Sequence, residues 1–291
     1  MNQKKDSRPC IFCGAPGETD EHVVPKWLLR HFDLFDERLL LWNGTTIPYR
    51  QVVVPACLRC NHDRLAPLEQ RVQEGSATTR DYYLWALKIM HGLGHRDAAL
   101  PAKREKPAAG PLLPADVADD MGDLVRAAFR SLDNRAFAFS PDPFGSVMFI
   151  DSSRRDFMLI DVPRPYRLIA IALPRDQHLV VLPLDRGVVA KVYGRKPVRK
   201  RLLLEVPGLD GHLQLAMKLF GMLIFRAHLL IPREIVAEDE ALVAAQVPRK
   251  LPTRHQSLEL YRAIARMLRL PMELADRAHA NYGGAGVVRW R

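Results

Sequence analysis

All four cysteines of the chain fall in two C-x-x-C pairs, Cys10/Cys13 and Cys57/Cys60, separated by 43 residues. A C-x-x-C segment forms a tight knuckle that aims two sulfurs at one point, and two knuckles supply the four ligands of a tetrahedral zinc site. The pattern therefore predicts an N-terminal unit whose ends are pinned at one metal, around an insert too small to bury much core alone. A redox C-x-x-C and four free thiols are the competing readings. A redox pair needs one motif and a βαβ setting, which this stretch lacks.

The chain is long enough for one or two domains. It has 291 residues, a hydrophobic fraction of 48% and a net charge of +10. That positive field favours polyanions, nucleic acid above all, over neutral partners; the bland alternative is a solvated basic surface. The start, Met1-Asn2-Gln3-Lys4-Lys5-Asp6, is polar and leads into no apolar signal segment. The longest apolar run, Leu213 to Ile231, contains Lys218, Arg226 and His228, which fits a core helix better than a membrane span. A cytoplasmic protein with no membrane partner is expected, its cysteines thiols or metal ligands rather than disulfides.

Composition divides the chain into residues 1–95 with the motifs, a Pro/Ala-rich linker at 96–116 (Pro101, Pro107, Pro111, Pro114), and a larger domain over 117–291. Helical spacing runs from Val117 to Leu132. Apolar, β-branched runs follow at Ser146–Ile150, Asp156–Val162, Arg167–Leu173, His178–Leu184, Val188–Tyr193 and Arg201–Val206, as in an antiparallel or mixed sheet. Helices are expected at Leu213–Leu230 and Ser257–Leu270, and a loose Gly-rich tail at Asn281–Arg291. The fold class is α+β: a small zinc-stapled module, then an α+β domain for recognition or oligomerisation.

Between the knuckles lies Glu21-His22-Val23-Val24-Pro25-Lys26-Trp27-Leu28, and the second knuckle runs straight into Asn61, with Leu68-Glu69 beyond. This string, over roughly Pro9 to Glu74, resembles the zinc-bearing branch of the HNH (ββα-metal) endonucleases, and a bacterial and phage subgroup of HNH-like proteins. The resemblance implies a place in restriction, phage defence or mobile-element biology. It implies that Glu21 ligates a divalent metal, Mg²⁺ or Mn²⁺, that His22 is the general base, and that Asn61 completes the metal site. His62, next in line, is the alternative ligand. Four features differ from the family pattern. Glu stands where Asp is more frequent. Val52-Val53-Val54-Pro55 replaces the stretch with the middle asparagine, so Asn43 is the nearest substitute. His62 follows Asn61, and Pro67 falls in the expected helix. That helix either stops after a turn or restarts with Pro67 at its first position.

The chemistry suits phosphodiester hydrolysis. A hard cation held by few protein oxygens stabilises charge on the phosphoryl and leaving oxygens. A neutral histidine activates water. Neighbouring residues on a strand face opposite ways, so Glu21 and His22 serve one phosphate only if the backbone turns there, and Pro25 marks such an end. The opposite possibility is a surface Glu21, a packed His22 and a turn-forming Asn61. Lys26 and Arg30, one turn apart, and Arg59 and Arg64, flanking the proposed metal site, are the candidate phosphate contacts. The run Lys196–Arg201 is another, or a solvated loop. Trp27, Trp42, Tyr82, Tyr83 and Trp85 are better placed as core than as base-stacking residues. No phosphate-cradling glycine loop occurs, so no nucleotide cofactor is expected.

The expectation is a metal-dependent endonuclease acting on DNA, with RNA the weaker variant because no RNA-reading motif appears. A homodimer would suit two-strand cutting. The alternatives are a zinc-containing nucleic-acid-binding module without catalysis and a zinc-stabilised protein–protein adaptor.

Overall fold

The computed structural model describes residues 8–41, 43–114, 122–133, 142–151, 159–162, 168–175, 177–185, 233–237, 240–244 and 271–282, with some single residues between. The chain divides into two units, Met1–Ala138 and Phe139–Arg291.

In the first unit, strand β1 (Thr19–His22) pairs antiparallel with β4 (Val53–Ala56), Glu21 opposite Val54 and His22 opposite Val53. Helix α1 (Lys26–His31) starts straight after Pro25, whose carbonyl accepts from the Leu28 and Leu29 amides, and it buries those two leucines. A short hairpin of β2 (Arg38–Leu40) and β3 (Thr46–Pro48) follows, and a 3₁₀ turn at Tyr49–Gln51 leads into β4. Beyond Cys57 the chain makes a wide i→i+5 turn, Arg59–Leu65, that runs into α2 (Ala66–Glu74). Pro67 is the second residue of α2. Neither arrangement expected for Pro67 is found as stated: the wide turn runs on through helical Leu65 into α2, which begins one residue earlier at Ala66. Gly75, at φ 75°, closes α2 in the left-handed conformation that glycine adopts without strain.

A two-stranded sheet is marginal alone, so β1 and β4 depend on α3 (Thr79–Ala98). Thr78 and Asp81 cap that helix reciprocally, and Arg71 of α2 reaches Asp81 at 2.6 Å. From Tyr83 to Gly92 every residue of α3 is buried, as for a helix surrounded by its own unit. Trp85 and Tyr83 are core residues, and Trp85 stacks on Trp27 at 6.2 Å. Gly92 is where α3 meets the end of β1: a Cβ there would lie 3.0 Å from both methyls of Val23. Each large apolar side chain buried here contributes about 1.5–3 kcal/mol.

After α3, residues 100–112 fold back on themselves, Leu112 N–H donating to Leu100 O and Ala102 N–H to Gly110 O. The Asn43 amide donates to Pro101 O, so this asparagine braces that loop rather than the one carrying His22. Helix α4 (Gly122–Asp133), within or next to the run expected from Val117, lies in the first unit and sets Phe129 edge-on against Phe12, 5.5 Å between ring centres. The boundary between the units therefore falls beyond it.

The second unit contains an antiparallel sheet in the order β5-β8-β7-β6: β5 (Ser146–Asp151), β6 (Leu159–Val162), β7 (Leu168–Leu173) and β8 (Gln177–Leu182). All six residues of β7 are buried, which explains its unbroken apolar sequence. Buried Asp185 accepts from the Ser146 amide and hydroxyl, tying the end of β8 to the start of β5. A hairpin of β9 (Arg233–Ala237) and β10 (Glu240–Ala244) and helix α5 (Met272–Tyr282) were not expected as such. The chain is thus α+β in both units. The runs Arg201–Val206, Leu213–Leu230 and Lys196–Arg201, Trp42, most of Val188–Tyr193 and Ser257–Leu270, and the tail beyond Tyr282 lie outside the described residues. Among the described residues, no helix is long and apolar enough to cross a membrane.

Candidate metal centre and the adjoining Glu21–His22 site

The four cysteine sulfurs lie within 4.8 Å of one another. Two local devices bring them together. In the first knuckle the Cys10 amide donates to Ala15 O and the Gly14 amide to Cys10 O, a turn that Gly14 closes at φ 79°. In the second, the Asn61 amide donates to Cys57 O and the Cys60 amide points at the Cys57 sulfur at 3.4 Å. The first knuckle is held in place from inside the unit: Phe12 packs on Phe129, and His91 of α3 meets the Ile11 carbonyl at 2.9 Å.

The donor set could hold a metal ion such as zinc. A tetrahedral site with Zn–S near 2.3 Å needs sulfurs about 3.8 Å apart, and Cys13 and Cys57 stand at 3.6 Å. The thiol of Cys10 is pushed down to about 4, chiefly by the hydrogen bond it shares with Cys60, and that bond pushes Cys60 up. Four sulfurs this close cannot all ionise unaided, and a central dication is what removes the remaining protons. Arg64 donates to the Cys60 sulfur at 3.2 Å. It was expected beside a phosphate; here it meets a sulfur of the cysteine cluster, a place where a charge-assisted donor would support a thiolate once a metal is bound.

Glu21 and His22 point to opposite sides of β1. Glu21 is buried at 8% exposure, and its carboxylate lies 2.6 Å from the ammonium of Lys88, on α3. Lys88, 1% exposed, also meets Glu69 of α2 at 2.8 Å, the Val23 carbonyl at 3.2 Å and the His22 carbonyl more closely still. Burial pushes the lysine pKa down, but the two carboxylates outweigh it and the net shift is upward, so the ammonium stays charged. Glu69 is shifted up, by burial first and by Glu21 too, with Lys88 opposing. Removing one member of such a buried group leaves a stranded charge, at a cost of about 3–5 kcal/mol.

His22 is half-buried on the other face. Its pKa is lowered, by burial first and then by the Lys26 ammonium, with Glu21 and the Arg50 backbone opposing. Asn61 turns its amide to the Thr19 hydroxyl at 3.0 Å, which ties the knuckle turn to the start of β1. His62 is exposed. So the structure unites the four cysteines, and separately joins Asn61 to β1. Among the described residues it shows no contact joining Glu21, Asn61 and His62, and the cysteines are the group of three or more His, Cys, Asp or Glu close enough to hold a metal. The divalent-ion assignment does not fit Glu21 as it stands, because a lysine already occupies that carboxylate. Lys26, Arg30 and Arg59 are exposed; Arg30 lies over the Phe35 ring at 5.4 Å.

No protein-family model, no curated protein and no solved structure matches this chain. The site therefore has to be argued from its own residues.

Sequence reasoning missed Lys88. Its signal was a single charge in Leu84-Trp85-Ala86-Leu87-Lys88-Ile89-Met90, since a lysine inside a buried helix requires a buried counter-charge. Glu69 was visible as part of Leu68-Glu69 but carried no role.

Two outcomes follow. Purified protein should carry one equivalent of zinc by elemental analysis, and Cys10→Ser should lose it together with the folded first unit; full zinc retention in Cys10→Ser would contradict the four-sulfur site. The His22 imidazole should titrate below its ordinary value of 6.5. Just below 6.5 the unfolded chain then binds more protons than the folded one, so the stability owed to His22 is complete above that pH and lost as pH falls. An NMR titration midpoint at or above 6.5 would contradict this.

Proposed function

We propose that the first unit is a zinc-stapled nucleic-acid-binding module of HNH build, with Zn²⁺ on Cys10, Cys13, Cys57 and Cys60 and DNA as its partner. The antiparallel β1–β4 pair, followed by the knuckle turn and α2, supports that build. The observation that carries binding over cleavage is the inward turn of Glu21 onto Lys88. It removes the carboxylate from the face of β1 that bears His22, and leaves that side with Lys26 beside the imidazole and Arg30 one turn on. A half-buried neutral imidazole beside a lysine can donate to phosphate oxygens without competing for a metal. The net charge of +10 supplies long-range attraction to the same partner.

A second role, endonucleolytic cleavage, draws support from His22 itself. Its lowered pKa keeps it neutral at pH 7, as a general base requires, and Asn61 is tied to the same strand. In that role His22 would take a proton from the attacking water. The Mg²⁺ or Mn²⁺ that the HNH resemblance implies would have to be held by something other than the Lys88-bound oxygen of Glu21.

One experiment separates the two. The logarithm of the binding constant for duplex DNA should fall linearly with log salt, and the Lys26→Ala/Arg30→Ala pair should reduce that slope by about 2 while weakening all sequences alike. Supercoiled plasmid with Mg²⁺ or Mn²⁺ should stay intact. Metal-dependent nicking that disappears in His22→Ala at matched zinc content would make the module a nuclease. Neither retention nor nicking would remove DNA as the partner and favour the adaptor.

A further inference from the structure

Four oxygens converge on one point inside the first unit. They are a carboxylate oxygen of Glu21, 2.6 Å from Lys88 Nζ, one of Glu69 at 2.8 Å, the Val23 carbonyl at 3.2 Å, and the His22 carbonyl. They come from two segments, the end of β1 and α2, and the ammonium they surround comes from α3. An ammonium has three N–H donors, so four acceptors exceed what a lysine can bond singly. Two carboxylates and two backbone carbonyls form an all-oxygen set of the kind hard divalent cations take, Ca²⁺ and Mn²⁺ most readily because they tolerate irregular oxygen geometry. The point is nevertheless filled by the chain's own positive charge, delivered by a wholly buried side chain from the apolar stretch Leu84–Met90 of α3.

We infer that Lys88 is the resident cation of this oxygen cage: it holds the place between Glu21 and Glu69 that a divalent ion would take, excludes that ion from the wild-type protein, and leaves behind a divalent-ion site when it is removed. This goes beyond the binding role proposed above and does not depend on it, since the cage is defined without reference to DNA. The electrostatics agree. One ammonium between two carboxylates leaves the group one positive charge short of neutrality, and a dication would supply it. Geometry sets the order of events: a lysine anchored along α3 needs no uptake from solution, whereas an ion has to reach a buried point, so the lysine wins whenever it is present.

The test is Mn²⁺ titration of the zinc-loaded full chain, with free Mn²⁺ read by electron paramagnetic resonance. Zinc on four thiolates is not displaced by Mn²⁺, which ranks below it on such ligands. Wild type and Glu21→Gln should bind Mn²⁺ alike, with no equivalent assignable to Glu21. Lys88→Ala should gain one equivalent, and Lys88→Ala/Glu21→Gln should lose it again. Lys88→Ala places two carboxylates together in the interior and can fail to fold without an ion. Lys88→Gln, which keeps a donor to the His22 and Val23 carbonyls, is the second variant, and circular dichroism with and without millimolar Mn²⁺ reads recovery of the fold. A gained equivalent or an Mn²⁺-dependent recovery in either variant, lost with Glu21→Gln, supports the cage. The inference is overturned by a Glu21-dependent Mn²⁺ equivalent in wild type, by folded Lys88 variants that gain none, or by both variants staying unfolded in Mn²⁺. DNA retention is measured separately: a wild type that binds neither DNA nor Mn²⁺ at Glu21 removes the binding proposal and keeps this one.

Discussion

A single buried ammonium organises the first unit. Lys88 has no water to solvate it, so it must be surrounded by oxygen, and the oxygens it gathers belong to the end of β1 and to α2. That requirement fixes where α3 crosses the β1–β4 pair, and Gly92, one turn further on, lets the helix close on Val23. It also fixes the direction of Glu21. Because side chains alternate along a strand, drawing Glu21 inward sends His22 to the other face. The character of the outer face therefore depends on an interaction beneath it.

The cysteine cluster performs a different task at the other end of the same strand. It joins the loop before β1 to the turn after β4, and Arg64 and Asn61 complete the joint by bonding the Cys60 sulfur and the Thr19 hydroxyl. Phe12 and His91 pass the restraint inward to α4 and α3. The cysteine knuckles and the lysine cage thus clamp β1 from both ends. A strand held at both ends fixes the side on which the His22 imidazole stands.

The cysteines were legible because each C-x-x-C spacing brings two sulfurs together and four such sulfurs suit one ion, and Pro25 because a missing N–H has only a few tolerated positions in a helix. The strands of the second unit were legible where burial on both faces left an apolar run, as in Leu168–Leu173. The Glu21 environment was not, because the partner that decides it lies 67 positions away on another helix. Nothing in the local string Glu21-His22-Val23 distinguishes a carboxylate that awaits a metal from one already neutralised by a lysine. The sulfur contact of Arg64 was not legible for a related reason: a cation next to a cysteine knuckle can face phosphate or sulfur, and the wide turn at Arg59–Leu65 brings this one to Cys60. Asn43 was close in sequence to the missing asparagine, yet its amide is committed to Pro101.

The most direct measurement is anomalous diffraction from crystals of the zinc-loaded protein soaked in Mn²⁺. With Lys88 as the cation at Glu21, the zinc edge gives one peak among Cys10, Cys13, Cys57 and Cys60, and the manganese signal shows nothing bonded to Glu21, whose carboxylate remains on Lys88 Nζ. A manganese peak bonded to Glu21 with the lysine swung away would contradict that assignment and restore a divalent-ion site beside His22.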